Sequence, residues 1–161
     1  MDDPRAGVIT VSDSVSAGTV EDVSGPVIVE ALIALGFRVT ETSVVPDGIE
    51  PLADEIRRLA ATADLIVTTG GTGLSPRDLT PEATASVIDR PVPGLSEAMR
   101  SATFGVIPHG MLSRGIAGLV GTCLVVNFPG SARAVREGLD VIGPALRHGV
   151  EIASGRHGRH D

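Results

Sequence analysis

Short β-branched runs alternate with segments of helical periodicity along this chain, and that alternation restricts the folds open to it. The clearest runs, residues 8–11, 37–45 and 65–69, each lead into a polar loop. Residues 24–36 and 49–61 carry apolar side chains at three- and four-residue spacing, which predicts helices. Strands that alternate with helices favour a mostly parallel central sheet covered on both faces, so we expect a three-layer α/β/α sandwich.

The second half of the chain continues the alternation less regularly. Short helices are predicted over residues 81–88 and 95–104, and paired strands around Gly121 over residues 115–127. Ser131 can then cap a final helix of apolar residues at helical spacing.

Composition sets the size and nature of the core. The chain has 161 residues, 42% of them hydrophobic, which suffices for one buried core. Only 2% of the residues are aromatic, so the core is expected to be aliphatic. No repeat or linker divides the chain, and we therefore expect a single domain over residues 3–153 followed by a polar, disordered tail over residues 154–161.

Charge and cysteine content exclude several classes of function. The net charge of −7 and the scarcity of aromatic residues argue against nucleic-acid binding, which needs a basic surface or stacking platforms. One cysteine, Cys123, cannot form an intrachain disulfide, and no Cys/His pair has zinc-site spacing. The acidic N-terminus is unlike a secretory signal, and no apolar run is long enough to span a membrane. A cytoplasmic protein without a membrane partner is expected.

The most informative motif follows the third predicted strand. Gly70, Gly71 and Gly73 allow a tight turn and bring backbone N–H groups close to a ligand. Thr72 and Ser75 add hydroxyl groups to the same loop. The loop is either a tight strand-to-helix connection without a ligand or a cradle for a phosphate group.

Two acidic residues follow different predicted strands. Asp47 stands in a Pro-Asp-Gly sequence, where it can simply form a turn, and Asp78 can pair with Arg77 or cap a helix. In parallel sheets the strand ends share one edge, so we expect the two carboxylates to lie near each other. Thr80 and Pro81 are predicted as the N-cap and first-turn proline of the next helix.

Polar residues also follow the first and last predicted strands. Ser12 and Asp13 are either caps and solvated turn residues or ligand contacts. Asn127 precedes the segment Pro129-Gly130-Ser131, which opens a helix whose N-terminus can receive a phosphate group. All of these loops are expected to converge on one edge of the sheet.

Two further pairs of polar residues have simple explanations as well as functional ones. Glu97 and Arg100 lie three residues apart on a predicted helix, where an ion pair is the ordinary account. Ser113 and Arg114 are equally consistent with a surface turn, although an arginine suits a phosphate group or a flat ring.

Six ordered blocks of this sequence resemble the molybdenum-cofactor biosynthesis proteins of the Mog/MoaB family, which include the G domains of gephyrin and of plant Cnx-type proteins. The blocks are Val11-Ser12-Asp13, Val45-Pro46-Asp47, residues 68–84, residues 93–100, residues 111–114 and residues 127–131. The resemblance covers nearly the whole chain and implies the MogA/MoaB-like molybdopterin-binding fold.

The resemblance also implies an activity. Catalytic members of the family are molybdopterin adenylyltransferases, which transfer AMP from Mg-ATP to the terminal phosphate of molybdopterin and release pyrophosphate. Their product passes to a protein that inserts molybdate, and they form homotrimers, with hexamers in some relatives. The alternative is a non-catalytic, MoaB-type molybdopterin-binding protein.

Functional residues follow from the matched blocks. The resemblance implies catalytic roles for Asp47 and Asp78, with Mg²⁺ held by the same two carboxylates. The residues implied to contact the pterin and the nucleotide, including their phosphates, are Ser12, Asp13, Gly70, Gly71, Thr72, Gly73, Ser75, Glu97, Arg100, Ser113, Arg114, Asn127, Pro129, Gly130 and Ser131.

Overall fold

Strands and helices alternate through residues 2–156, the part of the chain that the computed structural model describes. The strands are β1 (Arg5–Val11), β2 (Arg38–Val45), β3 (Leu65–Thr69), β4 (Arg90–Pro91), β5 (Ala117–Val120) and β6 (Cys123–Phe128). The α-helices are α1 (Asp13–Ser16), α2 (Ser24–Ala34), α3 (Ile49–Ala60), α4 (Thr80–Ala85), α5 (Pro93–Ser101) and α6 (Ala132–Ala153), and a 3-10 helix covers Pro108–Leu112.

All six strands form one mostly parallel sheet in the order β2-β1-β3-β6-β5-β4. The pairs β2-β1, β1-β3 and β3-β6 are parallel, while β5 runs antiparallel to both β4 and β6. The antiparallel pair β5-β6 confirms the strands predicted around Gly121. Connections between the parallel strands pass through helices, as parallel pairing requires.

Alternate residues of the central strands enter two separate hydrophobic layers. Val8 and Val67 pack with α2 and α6 on one face, while Ile9 and Ile66 pack with α3 on the other. This division follows from the two-residue period of a strand, which points successive side chains to opposite faces. The three-layer α/β/α sandwich is therefore confirmed, with an aliphatic core.

The boundaries of several elements differ from the predicted ones. β1 begins earlier, at Arg5, and α4 ends earlier, at Ala85. The helix predicted over residues 95–104 covers Pro93–Ser101. The elements α1 and β4 and the 3-10 helix escape prediction because so few residues carry no measurable periodicity.

The predictions of one domain over residues 3–153 and of a disordered tail after it stay predictions. Residues 154–156 are described, and the Arg156 guanidinium donates to Asp64 Oδ1 at 2.6 Å. Residues 157–161 lie outside the described part of the chain. Between residues 2 and 156, no helix is both long and apolar enough to cross a membrane.

We predict that the native protein resists thiol alkylation. Cys123 in β6 is 1% exposed, and burial raises the pKa of its thiol to about 12. At pH 8 only about one thiol in 10,000 is then ionised, and the thiolate is the reactive form. Mass spectrometry should find no iodoacetamide adduct on the native protein and complete modification in guanidinium chloride. Rapid alkylation of the native protein would contradict the packing of β6.

Candidate functional site

The loops after β1, β2, β3 and β6 meet at the carboxyl edge of the sheet. The Ser12 N–H donates to the Val45 carbonyl at 3.0 Å, which joins the ends of β1 and β2. The Gly70 N–H donates to the Phe128 carbonyl at 3.1 Å, which joins the ends of β3 and β6. The predicted convergence of the polar loops on one edge is confirmed.

Asp13 and Asp47 hold each other in place through reciprocal hydrogen bonds. The Asp13 N–H donates to Asp47 Oδ2 at 3.1 Å, and the Asp47 N–H donates to Asp13 Oδ1 at 3.0 Å. Arg77 reaches the same pair and donates from Nε to Asp13 Oδ2 at 2.6 Å. Arg77 therefore pairs with Asp13, and the suggested pair between Arg77 and Asp78 is not formed.

Asp47 lies in an acidic environment. Burial raises the pKa of Asp47, and the charges of Asp13 and Asp78 raise it further, against the hydrogen bond from the Asp13 N–H and the charge of Arg77, which lower it. Its neighbours thus bring more negative than positive charge. An arrangement of this kind favours a bound cation.

The glycine loop turns where side chains would not fit. Gly70 has a φ of 98°, and a Cβ at this position would lie 2.3 Å from the Val11 carbonyl oxygen. Gly71 has a φ of 67°, and its Cβ would lie 2.3 Å from the Thr80 hydroxyl. Both positions require glycine because positive φ and close contacts exclude other residues.

The predicted N-cap role of Thr80 is wrong. Its hydroxyl donates to the Gly70 carbonyl at 2.9 Å, and α4 begins after Leu79 without a side-chain cap. Thr80 lies against the glycine loop, and the contact with the nearby backbone engages the hydroxyl that would otherwise cap the helix. Pro81 does occupy the first turn, as predicted.

Asp78 folds back onto the loop that precedes it. The Ser75 N–H donates to Asp78 Oδ2 at 3.1 Å, and a Cβ on Gly73 would lie 2.9 Å from the same oxygen. Within residues 2–156 the other carboxylate oxygen, Oδ1, makes no hydrogen bond. Asp78 therefore closes a turn and does not cap α4, and it keeps one oxygen free for a ligand.

Arg114 fastens the glycine loop to α4. Its guanidinium donates to the carbonyls of Gly73 at 2.9 Å and Asp78 at 2.6 Å and forms an ion pair with Glu82. Its backbone N–H donates to the Thr72 carbonyl at 2.8 Å. The hydrogen bond from Arg114 lowers the pKa of Glu82. The Arg114 guanidinium donates to acceptors of the protein itself. Arg114 therefore positions the glycine loop, which the sequence indicated as a candidate phosphate-binding loop.

A cavity of about 1060 Å³ opens beside this loop. It begins at Thr72 and Gly73 and extends between α5, the 3-10 helix and α6. Five of the residues predicted to bind substrate also line it: Arg100, Ser113, Asn127, Pro129 and Ser131. Its apolar wall includes Leu74, Met99, Val106, Ile107, Leu112 and Val141.

Asn127 is committed to internal hydrogen bonds. Its amide donates to the hydroxyls of Thr68 and Thr84 at 3.0 Å each, and its Oδ1 accepts the Ile116 N–H at 3.1 Å. The residue is 1% exposed. Both donors of the side chain therefore link β6 to β3 and α4, and ligand contact by Asn127 stays a prediction.

The helix α5 places its two predicted residues differently. Arg100 donates to the Gly115 carbonyl at 2.8 Å and lines the cavity. Glu97 is exposed, lies outside the cavity lining and forms no ion pair with Arg100 within the described residues. The intrahelical ion pair suggested by their spacing is therefore not formed.

Serine hydroxyls cap two helices at this edge. Ser12 accepts the Val15 N–H at 3.2 Å and caps α1, and Ser131 accepts the Ala134 N–H at 3.1 Å and caps α6. Capping of the final helix by Ser131 is confirmed. Because these hydroxyls already have a partner, a role for either in ligand binding stays a prediction.

The family of the chain follows from comparison with known proteins. Residues 7–148 match the family described as "Probable molybdopterin binding domain". The chain belongs to this family. The resemblance recognised in the six sequence blocks is confirmed.

Curated relatives differ in how much of their length the domain occupies. Gephyrin of Dictyostelium discoideum is 40% identical, and the match covers 93% of this chain but only 22% of that protein. Molybdopterin adenylyltransferase of Helicobacter pylori J99 is 34% identical, and the match covers 94% of this chain and 88% of that protein. The molybdopterin-binding domain therefore occurs both as most of a protein and as part of a larger one.

Solved structures share the whole fold. The molybdopterin biosynthesis enzyme MoaB of Thermus thermophilus is 42% identical, with a TM-score of 0.90 and coverage of 94% of this chain and 97% of that one. The molybdopterin biosynthesis Mog protein of Mycobacterium ulcerans is 39% identical, with a TM-score of 0.89 and coverage of 96% and 99%. The predicted MogA/MoaB-like molybdopterin-binding fold is confirmed.

Several contacts at this edge of the sheet could not be predicted from the sequence. Thr80 binds a carbonyl of the glycine loop, Glu82 holds Arg114, and Ser96 lies at the cavity wall. Each depends on residues distant in the chain or on helix packing. The glycine block did indicate a constrained loop, but the pattern does not reveal which groups constrain it.

We predict that Gly70→Ala is strongly destabilising. The variant combines an unfavourable φ with a contact against the Val11 carbonyl and should lower the free energy of unfolding by about 2 to 5 kcal/mol. Gly18→Ala is the matched control, since Gly18 also has a positive φ, of 75°, but an added Cβ would meet nothing within 4 Å. Urea unfolding measures both. Equal losses would show that the close contact contributes nothing.

We also predict that Arg114→Gln loosens the glycine loop. The shorter neutral side chain cannot hold the Gly73 and Asp78 carbonyls together with Glu82. Amide hydrogen exchange in residues 70–78 should accelerate at least about tenfold, since that is the effect of about 1.4 kcal/mol on an opening equilibrium. Arg57→Gln serves as control because, within residues 2–156, Arg57 forms only an exposed pair with Asp54. Unchanged exchange in the Arg114 variant would disprove the positioning role.

Proposed function

We propose that the protein is a molybdopterin adenylyltransferase of molybdenum cofactor biosynthesis, which transfers AMP from Mg-ATP to molybdopterin. The observation that carries the proposal is the arrangement of carboxylates beside the glycine loop. Asp47 exchanges hydrogen bonds with Asp13, Asp13 accepts from Arg77, and the next residue, Asp78, accepts the Ser75 N–H of the loop. Relatives named molybdopterin adenylyltransferase, matched over most of their length, support the same activity.

In the proposed reaction an oxygen of the terminal phosphate of molybdopterin attacks the α-phosphorus of ATP. A new P–O bond forms, the bond from the α-phosphorus to the oxygen that bridges it to the β-phosphorus breaks, and pyrophosphate leaves. Both reactants are anions, so their repulsion is a large part of the barrier. Backbone N–H groups of residues 70–73 and the Thr72 hydroxyl are proposed to hold the pterin phosphate.

Asp47 and Asp78 suit Mg²⁺ by their oxygen donors. Proteins bind this ion through one or two carboxylates together with water and substrate phosphates. A site built by two carboxylates is therefore compatible with the finding that residues 2–156 hold no group of three or more His, Cys, Asp or Glu side chains able to bind a metal. When bound, the ion supplies positive charge that neutralises the triphosphate.

The rest of the proposal concerns binding and assembly. Substrate contacts are proposed for the glycine loop and for the predicted residues that line the cavity, such as Arg100 and Ser113. Contacts by Ser12, Asp13 and Glu97 are proposed from the family resemblance alone. We extend the proposal to a homotrimer or hexamer in the cytoplasm that delivers adenylylated molybdopterin to a molybdate-insertion protein.

We predict that Asp78→Asn and Asp47→Asn each reduce pyrophosphate release from ATP, Mg²⁺ and molybdopterin by about 100-fold or more, because each removes charge that holds the cation. Both variants should remain folded by circular dichroism. Asp54→Asn is the control, since Asp54 is exposed on α3 and, in the described part of the chain, pairs only with Arg57. Full activity of the Asp78 variant would refute its catalytic role.

The same assay separates the enzyme from the non-catalytic alternative. Wild-type protein that binds molybdopterin but releases no pyrophosphate above background would be a molybdopterin-binding protein without transferase activity. A retained site does not guarantee activity, because fold and chemistry are separable. The free carboxylate oxygen of Asp78 beside the loop favours the enzyme.

A further inference from the structure

Arg77 crosses from the glycine loop to the loop that follows β1. Its Nε donates to Asp13 Oδ2 at 2.6 Å, and its Nη2 lies 2.5 Å from the same oxygen. The other oxygen, Asp13 Oδ1, accepts the Asp47 N–H. The guanidinium therefore contacts a single carboxylate oxygen, whereas the strongest arginine–carboxylate pairs use both oxygens.

The pair between Arg77 and Asp13 is exposed to solvent. The side chain of Arg77 is 68% exposed and that of Asp13 is 39% exposed. Exposed ion pairs contribute little to folding, because water and salt screen them. Within residues 2–156, the remaining terminal nitrogen of Arg77, Nη1, makes no hydrogen bond. Arg77 can therefore leave Asp13 at little cost and has donors available to a ligand.

Other arginines at this site are held more firmly. Arg100 and Arg114, the two arginines predicted to contact substrate, each donate to two backbone carbonyls. Moving either guanidinium would leave those carbonyls without their donor, which is unfavourable. Asp13 is different, since water can solvate its exposed carboxylate when Arg77 moves. Arg77 is thus the better candidate to exchange its protein partner for a phosphate group.

The charge balance of the proposed reaction calls for such a cation. Asp47 and Asp78 together cancel the charge of one bound Mg²⁺, so the negative charge of a triphosphate would remain largely uncompensated. Arg77 directly precedes Asp78 in the chain and contacts Asp13, which exchanges hydrogen bonds with Asp47. Its positive charge also lowers the pKa of Asp47. The guanidinium therefore lies among the carboxylates that are proposed to receive Mg-ATP.

We propose that Arg77 leaves Asp13 when Mg-ATP binds and donates to the β- and γ-phosphates, which become the pyrophosphate leaving group. A planar guanidinium offers parallel N–H donors that match the oxygens of a phosphate group. This proposal rests on the proposed function for the identity of the ligand. It makes Arg77 the residue that binds the leaving group, whereas the sequence suggested for it only a pair with Asp78.

The test compares Arg77→Gln with Arg57→Gln, since within the described residues Arg57 is likewise an exposed arginine with an exposed carboxylate partner. Calorimetry measures binding of Mg-ATP, of Mg-pyrophosphate and, under anaerobic conditions, of molybdopterin. The Arg77 variant should bind the first two at least about tenfold more weakly, the effect of a lost charge-assisted hydrogen bond. It should bind molybdopterin like the wild type, because that phosphate is proposed to lie on residues 70–73. The Arg57 variant should bind all three normally.

The molybdopterin measurement separates leaving-group binding from a purely structural role. If Arg77 only held the two loops together, its loss would distort the glycine loop and weaken molybdopterin and Mg-ATP alike. Equal weakening of both would therefore overturn the proposal, and so would normal binding of Mg-pyrophosphate by the Arg77 variant.

Nuclear magnetic resonance of protein labelled with ¹⁵N-arginine follows the exchange of partners directly. The Arg77 Nε–H signal is assigned by its loss in Arg77→Lys and recorded at mildly acidic pH, where exchange with water is slow. Saturating Mg-pyrophosphate should shift this signal and leave that of Arg57 in place. An unmoved Arg77 signal would overturn the proposal.

The two proposals fail in different ways. If the wild type releases pyrophosphate and Arg77→Gln matches it in affinity and rate, the role of Arg77 is refuted and the proposed function stands. If the wild type binds neither Mg-ATP nor molybdopterin, the proposed function fails and the role of Arg77 fails with it.

Discussion

Parallel pairing of β3 with β1 on one side and β6 on the other determines the arrangement of the whole carboxyl edge. Every residue of β3 is buried, so a shift of the strand by one residue would exchange its side chains between the two hydrophobic layers. The glycine loop leaves this central strand between the ends of its two neighbours. Gly70 contacts both ends, since it donates to the Phe128 carbonyl and lies against the Val11 carbonyl. The loop geometry is thus a consequence of the strand pairing.

Charges at this edge are divided between groups that hold the protein together and groups left for a ligand. Arg114 directs its donors at loop carbonyls and Glu82, and Arg77 pairs with Asp13. Within the described residues, neither arginine forms an ion pair with Asp47 or Asp78. The two carboxylates therefore lie beside a well-held loop in a site with excess negative charge, which suits a divalent cation and would repel an unaccompanied polyphosphate.

Buried polar groups at this edge fall into two kinds. Asn127 satisfies the hydroxyls of Thr68 and Thr84 and is itself satisfied, which makes a closed network between strands and helix. Ser96 in α5 is buried to a similar extent, and its hydroxyl has no hydrogen-bond partner within residues 2–156. A closed network contributes to the folded state alone.

The sequence by itself determined the layered fold, the glycine loop and the cap of α6, because each rests on local periodicity, a positive φ or a contact within one turn. Only the tertiary structure decided the partners of polar side chains. Thr80 binds Gly70 instead of capping α4, and Arg77 pairs with Asp13 instead of Asp78. The Ser96 hydroxyl has no partner among the residues that the structure describes. Such choices depend on strand register and helix packing between distant segments, and hydrogen bonds need positions set within a few tenths of an ångström. A list of residue types and spacings does not contain those positions.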